Sequence, residues 1–217
     1  MNPDINPIIL LILAANGLLS YKGFKDLSFF NKYKFQVGAV KQGEYIRLLS
    51  SGFLHVDMSH LIFNMLTLYF FADSVIDRVG VPFFLILYFV SLLVGNWLAY
   101  VFHKDNLYYS AVGASGAVMG IIYAGIMLYP EMKLGFILLP FFDIPGYVFG
   151  LGYLIYSVYG MKKGIGNIGH SAHLGGAIAG FVLTLVLVPS VIDTNFRMVL
   201  ILGIPIILLF VFAKKLV

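Results

Sequence analysis

The run MSHLIFNMLTLYFFADSVI, from Met58 to Ile76, decides how the chain is to be read. At a rise of ~1.5 Å per residue it is long enough to cross ~30 Å of hydrocarbon as a helix. It holds one ionised side chain, Asp73. Two polar residues stand at its start, His60 and Asn64, spaced i, i+4 and hence on one face. A polar group in a membrane span costs several kcal/mol unless it is paired, so such a face marks a place where polar groups meet.

Working outward, charge-free intervals predict further spans: Ile5 to Tyr21, Val81 to Phe102, Val112 to Tyr129, Ala172 to Val188 and Met198 to Ala213. The first lacks the basic n-region of a signal peptide and reads as a span. Pro189 ends the sixth. The fifth segment, Leu134 to Tyr159, contains Pro140, Asp143 and Pro145. Its helix is expected to begin near Pro145, with Leu134 to Ile144 as a re-entrant or interfacial approach. Between the first two spans, Lys22 to Asp57 carries six of the fourteen Lys and Arg residues among many aromatics, the pattern of an interfacial loop with short amphipathic helices.

Composition agrees. Hydrophobic residues are 60% of the 217 and charged residues 11%, against ~45–50% and ~25% in soluble domains. So few charges cannot cover a soluble surface, which excludes a soluble enzyme and leaves a polytopic all-α membrane protein, because helices satisfy their own backbone in lipid. The absence of cysteine removes disulfides, thiolate nucleophiles and Cys-ligated metals. The dispersed net charge of +4 fits a lipid surface rather than nucleic acid. No linker or repeat is visible, so residues 1–217 read as one membrane domain. A compact chain of this kind suits the cell (inner) membrane of a prokaryote, as a multi-pass protein.

Three polar clusters open spans two, four and six: His60 with Asn64, Gly113-Ala114-Ser115-Gly116, and His170 with His173. These spans run in one direction, so their starts share one side of the membrane and a similar depth. A serine hydroxyl becomes a nucleophile when a neutral imidazole takes its proton. Ser115 would attack and His173 would be the base, with His60, the Asn64 amide and the Ser115 backbone N–H as oxyanion donors. The pairs Gly116/Gly120 and Gly176/Gly180, with Gly113 beside the serine, let backbones approach closely.

Each of these residues has a blander reading. A lone serine in a membrane helix usually bonds back to a carbonyl one turn away. His103, followed by Lys104 and Asp105, reads as interfacial, Asp143 as solvated, and His55 as lining an entrance or chemically silent. His60, His170 and His173 could ligate a metal, but no carboxylate accompanies them and no His-Glu-x-x-His pattern occurs, so no metal or other cofactor is expected. The joint placement of serine, histidines and asparagine at the starts of same-direction helices favours a hydrolytic site.

The chain resembles the rhomboid intramembrane serine proteases. The resemblance rests on His60-x-x-x-Asn64, Gly113-x-Ser115-Gly116 and Ala172-His173-Leu174-Gly175-Gly176 with Gly180, and covers roughly 41–189. It implies a six-helix bundle to which 190–217 adds a seventh helix. It also implies a Ser115–His173 dyad without an acidic third member, an oxyanion hole from His60, Asn64 and the Ser115 amide, and transmembrane protein substrates cleaved at easily unwound helices. Glu44-x-x-Arg47 is similar to the polar pair of the family's first loop. Two positions depart from the pattern: Ile46 where many members have Trp, and Met119 where some bacterial members pack an aromatic on the base. A rhomboid-like binder of membrane helices that does not cut is the alternative, and a solute channel or metal transporter a third. The resemblance places the N-terminus in the cytoplasm and the site on the opposite face. Only Arg78, Lys133 and Arg197 would then face inward, against the positive-inside rule, which long loops follow less strictly. The 161–169 loop, with its lysines and glycines, is expected to cap the cavity.

Overall fold

The computed structural model describes residues 5–136, 139–163 and 169–216. Side-chain caps start several of the helices. Asn6 caps α1 (Pro7–Lys25), accepting the Ile8 N–H at 3.1 Å, and Pro7 occupies a first-turn position that needs no N–H. Asp26 caps the short interfacial α2 (Leu27–Tyr33). The chain then passes through β1 (Phe35–Gln36), α3 (Val37–Lys41), α4 (Arg47–Ser50) and a 3-10 turn, Ser51–Phe53.

Asp57 caps α5 (Met58–Phe102), accepting the His60 N–H at 2.8 Å. This element holds the second and third predicted spans. No loop separates them; the break is a single residue, Gly80, at φ 79° and ψ 163°, with Pro82 close behind. Only glycine takes that φ without strain, so one residue turns the chain back. After β2 (Ser110–Ala111) come α6 (Ser115–Leu128), β3 (Lys133–Phe136), β4 (Leu139–Pro145), α7 (Gly146–Lys163), α8 (His170–Leu187), α9 (Val191–Thr194) and α10 (Phe196–Leu216).

The expected start of the fifth helix at Pro145 agrees with α7. The approach before it is a β-hairpin, with Lys133 opposite Pro145 and Gly135 opposite Asp143. The backbone groups that face across the pair are thus satisfied between the two strands, where a re-entrant coil would have left them to find partners elsewhere. Asp143 is exposed, as read. The last apolar run is helical as α10. Of the expected capping loop, 164–168 lie outside the described residues.

The bundle is apolar both inside and out: it has a buried apolar core that includes Leu68, Phe84, Ile121 and Leu202, large apolar side chains also on its surface, and polar side chains set into the interior. Leu18, Leu27, Ile155 and Val186 are each at least 65% exposed, whereas Asn16, Ser20, Asn64, Asn96, His170 and Thr184 are buried. With lipid outside, apolar side chains can face either way, packing inside by van der Waals contact, whereas polar groups gain partners only inside. Asn16 of α1 donates to the Tyr88 hydroxyl at 3.3 Å, and Tyr123 of α6 donates to the Gly150 carbonyl of α7 at 2.5 Å.

At the centre stands α6, buried along its length from Gly116 to Leu128 and packed between both halves of α5 and α8. It has 14 residues. That is only ~21 Å of helix against ~30 Å of hydrocarbon, so α6 cannot reach both membrane surfaces.

Candidate active site

Ser115 is the first residue of α6. The backbone N–H groups of a helix's first turn have no partner within the helix and carry the positive end of its dipole. The approach to this turn requires glycine twice over. Gly113 has φ 130°, and a Cβ there would lie 2.7 Å from Cε1 and 3.0 Å from Nε2 of His60. The same point is 3.6 Å from Ser115 Oγ, so the Cε1–Nε2 edge of His60 borders the serine across Gly113.

His173 lies on the first turn of α8, almost fully buried, and its Nε2 is 2.5 Å from Ser115 Oγ. Two helices come that close because both are bare where they touch. A Cβ on Gly176 would overlap the Gly116 carbonyl, and one on Gly180 would overlap the backbone of Gly120. The imidazole has a partner on its other side: Nδ1 and the Tyr153 hydroxyl of α7 form a short hydrogen bond. With Nε2 accepting from the serine, Nδ1 carries the proton and donates to Tyr153. Tyr153 also packs against the ring, with centroids 5.8 Å apart at 38°.

His60 and Asn64 sit one turn apart on α5, on the face that borders α6. Asn64 is buried; its amide donates one hydrogen to the His60 carbonyl at 3.0 Å and retains a second. His170 is not on this line. Its ring fills the notch left by Gly160 and meets Tyr156 edge-on at 5.0 Å. Thus the structure brings Ser115, His173, Gly113 and His60 together, sets Asn64 one turn deeper, and uses His170 between α7 and α8.

The loops before α5 and α6 are stitched together. Phe35 pairs with Ala111, the Gly113 N–H donates to the Ser51 carbonyl at 3.0 Å, and Asn96 donates to Ser51 Oγ at 3.1 Å. Arg47 is buried, bonded to Glu44 at 2.8 Å and to the carbonyls of Asn31 and Lys34 at 2.8 and 3.0 Å. His103 stacks on Tyr109 at 3.6 Å, and burial holds it below the usual histidine range.

A family profile described as the rhomboid domain matches residues 42–190. The chain belongs to the rhomboid family. Among curated rhomboid relatives, RHOMBOID-like protein 12, mitochondrial, of Arabidopsis thaliana is 29% identical over 191 residues, 80% of this chain and 56% of that one. Human presenilin-associated rhomboid-like protein, mitochondrial, is 31% identical over 134 residues, 61% of this chain and 35% of that one. Rhomboid protease GluP of Bacillus subtilis is 31% identical over 144 residues, 65% of this chain and 26% of that one. The chain thus spans about half the length of the first relative and less of the others.

Within this rhomboid domain the two departures read differently in three dimensions. Ile46 is 58% exposed, and Arg47 beside it ties the loop down. Met119 is buried in α6, and the aromatic against the His173 ring is Tyr153, from another helix. The sequence reading missed Tyr153 because nothing local separates it from the many lipid-facing tyrosines; only its helical phase with Gly146 and Gly150, which also face the bundle, hinted at it.

Proposed function

We propose that this rhomboid-family membrane protein is an intramembrane serine protease. The observation that carries the reading is the 2.5 Å contact between Ser115 Oγ and His173 Nε2 at the start of the short α6. His173 Nε2 takes the hydroxyl proton as Oγ attacks the carbonyl carbon of the scissile bond, and the carbonyl electron pair moves onto its oxygen. That oxyanion is held by the Ser115 N–H, the His60 ring and the free hydrogen of Asn64. Collapse expels the amine, which takes the proton from His173; water then releases the acyl group by the same route. Tyr153 accepts the Nδ1 proton's hydrogen bond and so favours the imidazolium in place of an acidic third member.

Substrates are transmembrane proteins. Supporting this is an apolar groove of about 630 Å³ on the lipid side, lined by Phe63, Leu66 and Phe70 of α5, Ile122 of α6 and Phe149 of α7. Ile122 lies about two turns below Ser115, so a helix seated there would reach the site by unwinding upward. Residues 1–217 act as one domain, with the site on the non-cytoplasmic face. The Bacillus relative supports a prokaryotic cell membrane, and the relatives named mitochondrial do not.

A serine-directed fluorophosphonate is expected to label the purified wild type and neither Ser115→Ala nor His173→Ala. Labelling that persists in Ser115→Ala overturns the nucleophile. A second reading, a non-cutting binder of membrane helices, draws on the names of the Arabidopsis and human relatives, which say rhomboid-like and not protease. A folded wild type that holds a transmembrane substrate intact favours it.

A further inference from the structure

His55 stands in the loop before α5, outside the Ser115–His173 pair, and is fully buried. Its ring is held on every side. Nε2 accepts the Ala114 N–H at 3.4 Å, and Nδ1 lies 2.8 Å from Ser20 Oγ on α1. An acceptor at Nε2 leaves the proton on Nδ1, so the ring donates to Ser20, whose own hydrogen goes to the Phe53 carbonyl at 3.0 Å. One tautomer satisfies all three contacts, and an imidazolium could not accept from Ala114. The remaining edge of the ring meets His60 at 4.9 Å and 77°.

Both contacts fall on parts of the site. Ala114 precedes the nucleophile and caps α6 with no side-chain partner of its own. With its N–H bound to His55 and that of Gly113 bound to Ser51, the turn before Ser115 is held from behind by the 51–55 segment. The same ring braces His60, which borders Gly113 and Ser115 from α5. A rigid connection therefore runs from Ser20 on α1 through His55 to the nucleophile turn and to the neighbouring donor.

We infer that His55 is a positioning residue for the reaction: as the Nδ1-protonated tautomer, anchored on Ser20, it fixes the Ala114–Ser115 turn and the His60 ring in the relation that attack and oxyanion binding need. This rests on the protease reading above. It assigns His55 no contact with substrate and no proton transfer.

The test compares His55→Phe, which keeps the ring but not the acceptor, with His55→Gln, whose carbonyl oxygen can take the Ala114 N–H. Fluorophosphonate labelling rates, kcat and KM on a transmembrane substrate, and thermal midpoints are measured for both. His55→Phe is expected to lose kcat and labelling rate on the order of ten- to a hundredfold, the scale for a small misplacement of reacting groups, with KM little changed. His55→Gln should recover most of that loss. Wild-type rates in His55→Phe overturn the inference, as does an equal fall in both variants that tracks an equal fall in thermal midpoint. Should His55→Phe fail to fold, nitrogen NMR of the wild type decides. A proton on Nδ1 and a bare Nε2 at neutral pH are expected, and a proton on Nε2 overturns it. An unreactive, non-cleaving wild type instead ends the protease reading, a result separable from any ratio between variants.

Discussion

A serine in a membrane helix ordinarily bonds back to a carbonyl one turn earlier, and Ser115 has no earlier turn. Thr67 and Thr184 bond in that way, to the carbonyls of Phe63 and Gly180 at 2.7 Å each. Ser115 turns to His173 instead, which is why its place at a helix start mattered more than its surroundings. Asn64→Ala is expected to cost about 2.7–4 kcal/mol of transition-state stabilisation, the usual loss for one oxyanion donor, while leaving measurable turnover. A variant as fast as wild type makes Asn64 structural. Tyr153→Phe removes the acceptor for His173 Nδ1 and should lower kcat by about ten- to a hundredfold, as hydrogen bonds to a charged group are worth ~1.5–3 kcal/mol. An unchanged kcat would leave Tyr153 a packing residue. His55 gives a prediction in pH. Burial, helped by His60 and opposed by Asp57, pushes it from 6.5 to about 3. With the folded value depressed, the neutral ring's contribution to stability is full above pH 6.5 and is lost as pH falls toward 3. Thermal midpoints of wild type and His55→Gln should therefore converge over that interval; a constant difference contradicts the shift.

At the scale of elements, glycine decides which helices can touch. Gly180→Leu would drive a side chain into the backbone of Gly120, which α6 cannot yield without moving Ser115. The cost is expected at or above the ~1–3 kcal/mol usual for overpacking, with lost activity; a stable and fully active variant contradicts the α6–α8 contact. Much of this level was legible: the Gly116/Gly120 and Gly176/Gly180 spacing named the pair of helices, and Pro145 the start of α7. The hairpin before α7 was not, since β3 and β4 are apolar without clear alternation and pair only through the backbone. The fusion of two spans at Gly80 was also hidden, because a single positive-φ glycine leaves no loop composition behind. The His55 connection was out of reach for another reason: Ser20, His55 and Ala114 lie on three separate segments, and only the fold makes them neighbours.

For the whole molecule, scarcity of charge is what made polar residues informative, and the distribution of its basic residues sets the positive-inside rule against the family orientation. The chain has no cysteine, so single-cysteine reporters are clean. With the site outside, Lys32→Cys and Lys104→Cys should react with a membrane-impermeant maleimide on intact cells, and Arg78→Cys only after lysis. The reverse pattern would mean that the positive-inside rule prevails over the family orientation. The central claim is that the contact between Ser115 and His173 cuts peptide bonds within the bilayer. Side-by-side incubation of wild type and Ser115→Ala with a transmembrane substrate in liposomes tests it most directly. The account predicts two fragments with wild type and intact substrate with Ser115→Ala; equal cleavage by both, or none by a folded wild type, would contradict it.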